Sequence, residues 1–595
     1  MNFGKTILAC VIGFVIGGVI LFVVWLMMLI GIIGSFSTTV TPVVEKESIL
    51  VIDLNEAIVD SPVIDPMSGF DPLSMSLESS SQLSLMSVMR ALEAAAEDDR
   101  IEGIYLRMDK ISAPMDISVL EELRSEILRF KESGKFVVAY HESYSQGLYY
   151  LATTADQIFI QPEGSMEWAG LSNAVMFYKG LIDKLGVQAE IFRPTSCRFK
   201  SAVEPFMYEK MSPENRQQVQ LLLNTIWQTI CEGVAESRGI AVAELNRLAD
   251  ELAVTLPQEA LNHHFVDGIL YEDQMEEIFT ELGVELFDGK LRMVTLGDYA
   301  AAYANPVVAF GSSQIAIVYA QGQIVDGEGE GGQIYGHTLA AKIREVREDE
   351  DIKAVILRVN SPGGSALASD IIWREMELLK AEKPVIVSMG AYAASGGYYI
   401  SAPADVIVAD KMTLTGSIGV FGMMMNYYNA LDKKLGVTVD AVKTNKSAGM
   451  GQTGVITPTQ RAAMMRGVDR VYETFTGHVA DGRNLPIERV LEIAEGRVWS
   501  GVAALERGLV DANGGLRLAI AIAADKANLG DDYVVVEKGE ELSGFAAIFA
   551  ALSGQVKASA DESALNDVMH EYRTIKEALS QQGVVMYSPY RIIVE

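Results

Sequence analysis

KFVVAYHESYSQGLYYLATTADQIFI at 135–160 and PVIVSMGAYAASGGYYISAPADVIVA at 384–409 are two versions of one stretch. Each opens and closes on a short apolar run, with small and polar residues and a Tyr-Tyr pair between. Working outward, SILVIDLNEAIVD (48–60) resembles QIAIVYAQGQIVD (314–326), and IEGIYLRMD (101–109) resembles IKAVILRVN (352–360). Downstream, LIDKLGV (181–187) matches ALDKKLGV (430–437), KSA recurs at 200–202 and 446–448, and Ser212-Pro213 answers Thr457-Pro458. One match could be chance. A series in one order, with a period of about 250 residues, implies two copies of one domain.

Each copy reads as α/β. Val385 to Met389 and Ala354 to Arg358 are short, apolar and rich in β-branched residues, as buried strands are. Leu339 to Arg347 and Ser369 to Leu379 carry charged faces at helical spacing. Pro213 and Pro458 suit first helical positions, capped by Ser212 and Thr457. Strands alternating with helices predict mostly parallel sheets.

These patterns divide the 595 residues into a first copy at 48–300, a linker at 301–313, a second copy at 314–527 and an extension at 528–595. The extension has no counterpart in the first half, and its stretch Ala564 to Leu579 reads as a helix. Residues 61–83 are rich in Ser, Met and Pro and read as a loop on the first copy. Residues 6–36 hold no charged side chain. That exceeds the roughly 20 residues that span a bilayer and the roughly 7–15 of a signal peptide's apolar region. An uncleaved transmembrane anchor is the expectation, followed by a tether at 37–47. Lys5 lies in the short segment 1–5, which puts that segment in the cytoplasm and the bulk across the membrane.

A net charge of −31 and the lack of a dense Lys/Arg run argue against nucleic-acid binding. Of three cysteines, Cys10 lies in the apolar segment, while Cys197 and Cys231 could pair without anything requiring it. There is no C-x-x-C, no H-E-x-x-H, no P-loop and no dinucleotide fingerprint, so neither a metal nor a cofactor is expected.

The chemistry lies in what the copies do not share. The second has NSPGGS at Asn360 to Ser365, where the first has DKISAP at 109–114. The second has Ser395 in ASGGYY, where the first has Gln146 in SQGLYY. The second has Gly416 and Ser417 in LTGSIG, where the first has Glu167 and Trp168. Glycines let backbone N–H groups approach a ligand. Gly363 and Gly364 past a strand, and Gly396 at a helix start, could supply two donors to one point, an oxyanion hole beside Ser395. A serine nucleophile needs a base. None of the six histidines has a recognisable nucleophile–base setting. A lysine serves when burial lowers its pKa from about 10.4. Lys200, among Phe199, Ala202, Val203 and Phe206, has the apolar context; Lys446, in KTNKSAGMG, is a polar competitor.

With the anchor and the tandem copies, KSAVEPF, YAASGGYYIS and LTGSIG resemble the signal peptide peptidase A family in its long Gram-negative form. The resemblance runs from the anchor to about residue 527. It implies a Clp-protease/crotonase-like fold in each copy and a Ser-Lys dyad of Ser395 as nucleophile and Lys200 as general base. It also implies that Ser417 orients the lysine and that Gly396 with Gly363 or Gly364 forms the oxyanion hole. A homotetramer in the cell inner membrane is expected, single-pass, with periplasmic catalytic domains acting on apolar peptides such as released signal peptides. Lys446 would stand idle opposite Gln146. A crotonase-type acyl-CoA enzyme and a non-catalytic membrane scaffold are the alternatives; labelling of Ser395 by a serine-directed acylating probe discriminates the first, and failure to cleave any apolar peptide would favour the second.

Overall fold

The computed structural model describes residues 44–62, 82–108, 115–303, 311–451, 454 and 456–539, with short strands at 70–71, 76–77 and 583–587. The expected anchor at 6–36, residues 37–43 of the tether and the expected helix Ala564 to Leu579 lie outside the described residues. Among the described residues, no helix is long and apolar enough to cross a membrane.

The first copy contains β1 (Ser48–Ile52), α1 (Leu85–Glu97), β2 (Ile101–Arg107), α2 (Ile117–Lys131), β3 (Phe136–Tyr144), α3 (Gln146–Ala152) and β4 (Gln157–Met166). It continues with β5 (Gln188–Phe192), α4 (Pro213–Arg238), β6 (Gly268–Ile269) and β7 (Arg292–Thr295). The second copy contains β8 (Gln314–Gln321), β9 (Gln323–Val325), β10 (Gln333–Tyr335), α5 (Gly336–Glu348), β11 (Ile352–Ser361), β12 (Gly363–Ser365) and α6 (Ala366–Lys380). There follow β13 (Val385–Ala394), α7 (Gly396–Ser401), β14 (Val406–Ala409), β15 (Leu414–Gly416), β16 (Phe421–Asn426), α8 (Pro458–Arg483), β17 (Val498–Ser500), β18 (Ala512–Asn513), α9 (Leu516–Lys526), β19 (Val534–Lys538) and β20 (Gly583–Tyr587). The fold is mixed α/β.

The first sheet has the order β6-β4-β3-β2-β1-β7, with every pairing parallel. The second repeats it as β18-β14-β13-β11-β8-β19, again parallel, with β15 and β17 added alongside β13. Val385, Ile386 and Val387 are fully buried, so β13 needs cover on both faces, as the strands of a parallel sheet do. Ser212 and Thr457 cap α4 and α8, each side-chain oxygen accepting an N–H three residues on.

Two boundaries move. The second copy was expected to end at 527, yet β19 at Val534–Lys538 pairs with β8 as β7 pairs with β1. The extension thus begins with the second sheet's outer strand, whose counterpart is Arg292–Thr295. The first copy was expected to stop at 300, but the helix that follows β7 runs from Leu296 to Tyr303.

The copies share buried surface. Phe192 and Cys197 of the first lie in the second copy's core. Arg358 on β11 binds Asp60 and Glu122 of the first copy, each at 2.6 Å, with the Arg358 side chain 1% exposed. Burial pushes the Glu122 carboxyl up, against the pull of Arg358. Asp60 also accepts from Asn360 at 2.9 Å, at the start of NSPGGS.

Candidate active site

Ser395 stands between the end of β13 and the start of α7, with φ 58° and ψ −113°. A non-glycine residue at positive φ is strained, and its surroundings must hold it there. Part of that hold is its own N–H, which donates to Gly416 O at 2.8 Å. The turn closes against β12. A Cβ on Gly396 would lie 2.8 Å from Ser369 Oγ and 3.1 Å from the Gly364 backbone nitrogen. Only glycine lets the two backbones come this close. Gly363 N–H donates to Ser361 Oγ at 3.1 Å, so of the two expected loop donors it is Gly364 whose nitrogen lies beside Gly396.

Lys200 enters from the first copy, on the loop between β5 and α4. Its Nζ lies 2.6 Å from Ser395 Oγ, 2.9 Å from Ser417 Oγ and 2.9 Å from Ser417 O. The residue is 1% exposed. Burial lowers its pKa from 10.5 to about 7, since desolvation penalises the ammonium. A neutral amine has two N–H donors and one lone pair. The two Ser417 oxygens can take the donors, which leaves the lone pair for the Ser395 hydroxyl. Ser417 also has positive φ, at 51°, and its N–H donates to Arg497 O at 2.7 Å.

Three supports of the lysine were not anticipated. Gly496 has φ +75°, and a Cβ there would come within 2.6 Å of Lys200 Cβ. Phe199 N–H donates to Glu495 O at 3.0 Å, and Arg198 pairs with the Glu495 carboxylate at 2.8 Å. Gln218 on α4 donates to Phe199 O at 3.0 Å and Ser201 Oγ at 2.9 Å, and accepts from Val498 N–H at 3.2 Å. Gln218 is 1% exposed, a polar residue on the buried face of α4. That misfit on an amphipathic helix is the sequence signal that could have found it. Gly496, in EGR, offers none.

The competing lysine is elsewhere: Lys446 is exposed in a turn. Gln146 is buried at the first copy's equivalent turn. Its Oε1 accepts from Ala169 N–H at 2.9 Å and Gly170 N–H at 2.8 Å, and its Nε2 donates to Gly170 O at 3.1 Å. Trp168 is fully buried, donating from Nε1 to Leu245 O at 2.9 Å. Cys197 and Cys231 are both free and buried, so no disulfide joins them. Among the described residues, no cluster of His, Cys, Asp and Glu could hold a metal ion.

A catalytic-type serine and a buried amine of depressed pKa, brought together across two α/β copies, describe a serine hydrolase. The sequence model of Peptidase family S49 matches residues 129–284 and 377–530, one region in each copy. "Protease 4" of Salmonella typhi is 36% identical over 492 residues, covering 81% of this chain and 78% of that protein. "Serine protease SPPA, chloroplastic" of Arabidopsis thaliana is 35% identical over 457 residues, 76% of this chain and 66% of that protein. A ClpP1 variant from Listeria monocytogenes, 14% identical, matches 34% of this chain and 94% of its own, at a TM-score of 0.24 too low to bear on the fold. The chain belongs to peptidase family S49 and is a serine peptidase. Its membership sets aside the acyl-CoA and scaffold alternatives.

Proposed function

We propose that the chain is a membrane-anchored endopeptidase with a Ser-Lys dyad, Ser395 the nucleophile and Lys200 the general base, degrading apolar peptides such as released signal peptides. The observation that carries this reading is the 2.6 Å separation of Lys200 Nζ and Ser395 Oγ in a buried setting. Neutral Lys200 takes the hydroxyl proton as Ser395 Oγ attacks the peptide carbonyl. Charge that develops on the carbonyl oxygen is met by the N–H groups of Gly396 and of Gly364, or of Gly363 once it leaves Ser361 Oγ. The lysine then returns the proton to the leaving amine, and water, deprotonated by the same lysine, hydrolyses the acyl-enzyme. Ser417 orients the amine throughout.

Each copy takes the Clp-protease/crotonase-like form in this reading, and residues 6–36 anchor the chain in the inner membrane with the copies in the periplasm. The charge-free run supports the anchor. A homotetramer built head to tail accounts for two open places. Within the chain, β5 of the first copy pairs antiparallel with β16 of the second. The second copy's counterpart of β5, near 438–442, forms no strand and leaves Val442 fully exposed. The first copy's counterpart of β16, near 172–177, also forms no strand. Neighbouring chains can pair these as the two copies pair within one chain.

The test is cleavage of an apolar peptide by three variants. Ser395→Ala and Lys200→Ala abolish it, and Lys446→Ala leaves it unchanged. Loss in Lys446→Ala with activity kept in Lys200→Ala would overturn the assignment.

A further inference from the structure

Past β19, one piece of the C-terminal extension, β20, sits beside the proposed nucleophile. Strands β12 and β16 flank the approach to Ser395. β12 starts at Gly363, against Gly396, and β16 follows Ser417 by a few residues. These two strands do not pair with each other. β20, Gly583–Tyr587, lies between them in the order β10-β9-β12-β20-β16-β5. It is antiparallel to both, with Val585 opposite Ser365 on one side and Phe421 on the other. Adjacent strands stand about 4.8 Å apart, so β12 and β16 are held about 10 Å apart, the width of one extended chain.

The direction of the inserted strand carries meaning. Val585, Met586 and Tyr587 face Ser365, Gly364 and Gly363 in turn. The chain therefore runs toward the corner where Gly363 and Gly364 meet Gly396, next to Ser395. A peptide bound for attack by Ser395 would add its acyl-side residues as a strand in the same slot, through main-chain bonds to both edges. The occupant is short, uncharged and rich in β-branched residues, GVVMY. It has the composition of an apolar peptide strand.

We propose that Gly583–Tyr587 is the chain's own occupant of the peptide-binding slot, so that the full-length enzyme is self-inhibited and substrate enters by displacing this strand. This rests on the reading of Ser395 as the nucleophile. Because the strand belongs to the same chain, it competes with substrate as an intramolecular occupant. A slot filled nine-tenths of the time raises the apparent KM about tenfold and leaves kcat alone.

The experiment compares the full chain, a form ending at Gln582, and Val585→Pro, whose proline removes a donor from the strand. Each is assayed with a short apolar peptide and labelled with a small serine-directed phosphonate that does not need the slot. KM falls about tenfold in both altered forms with kcat unchanged, and a synthetic peptide of residues 583–587 inhibits the shortened form competitively. Equal KM in all three forms that label equally at Ser395, with no inhibition by the peptide, would overturn the proposal. Absence of both cleavage and labelling in all three would bring down the Ser395 reading, and the proposal with it.

Discussion

Residue 146 of the first copy and residue 395 of the second occupy the same turn, after β3 and β13. Both sheets have the same strand order, so the scaffold is shared and the difference is local. In the first copy, Gln146 folds back onto residues 169 and 170 and satisfies its amide with three backbone partners. In the second, Ser395 is too short to do so, and the space is filled by a lysine from the other copy. The lysines diverge in parallel: Lys200 is buried beside a serine, while Lys446 is exposed. A satisfied polar turn stabilises. In the proposed dyad, a turn that holds a strained serine and a desolvated amine gives up stability for reactivity.

That contrast can be broken most forcefully at Gly496. Gly496→Ala drives a Cβ to within 2.6 Å of Lys200 Cβ from a backbone at φ +75°. Displacing the amine by about 1 Å costs on the order of 100-fold in kcat, read in steady-state peptide cleavage. Arg358→Met tests the junction of the copies, since it strands Asp60 and Glu122 without their cation. It lowers unfolding free energy by about 3–5 kcal/mol, measured by denaturant titration.

Lys200→Met sharpens the idea that the site is held at a cost. It abolishes cleavage yet raises stability at neutral pH by about 1–2 kcal/mol. The sign follows from the lowered pKa. Between about 7 and the ordinary lysine value of 10.5 the unfolded chain holds one more proton than the folded one, so wild-type stability rises with pH across that window. Lys200→Met removes the rise. Gln146→Ser has the smallest effect on chemistry. No second active site appears, because Trp168 fills the place of Ser417 and Lys446 is exposed, and active-site titration with an acylating probe still counts one serine per chain.

Much of this was legible in the sequence, for a definite reason. Duplication lets each copy serve as the other's control, so Gly363, Gly364, Ser395 and Ser417 stand out as substitutions on a common scaffold. Apolar neighbours, together with the family resemblance, favoured Lys200 over Lys446. The supports of the lysine were not legible. Gly496 matters through a contact with a residue nearly 300 positions away, which no local pattern encodes. Val534–Lys538 was missed as the second sheet's outer strand because its counterpart, Arg292–Thr295, shares position in the sheet but little sequence with it. For β20 the obstacle is its length. Five residues, GVVMY, say nothing about which edges they join.

The most direct test of the central claim is the pH dependence of Ser395 acylation by an uncharged serine-directed probe. With Lys200 as base, the rate rises with pH through a midpoint of about 7 and then levels off, as the amine loses its proton. Lys200→Ala removes that inflection and nearly all of the rate, and Lys446→Ala preserves both. A wild-type profile without an inflection near 7, or one that survives in Lys200→Ala, would contradict the account.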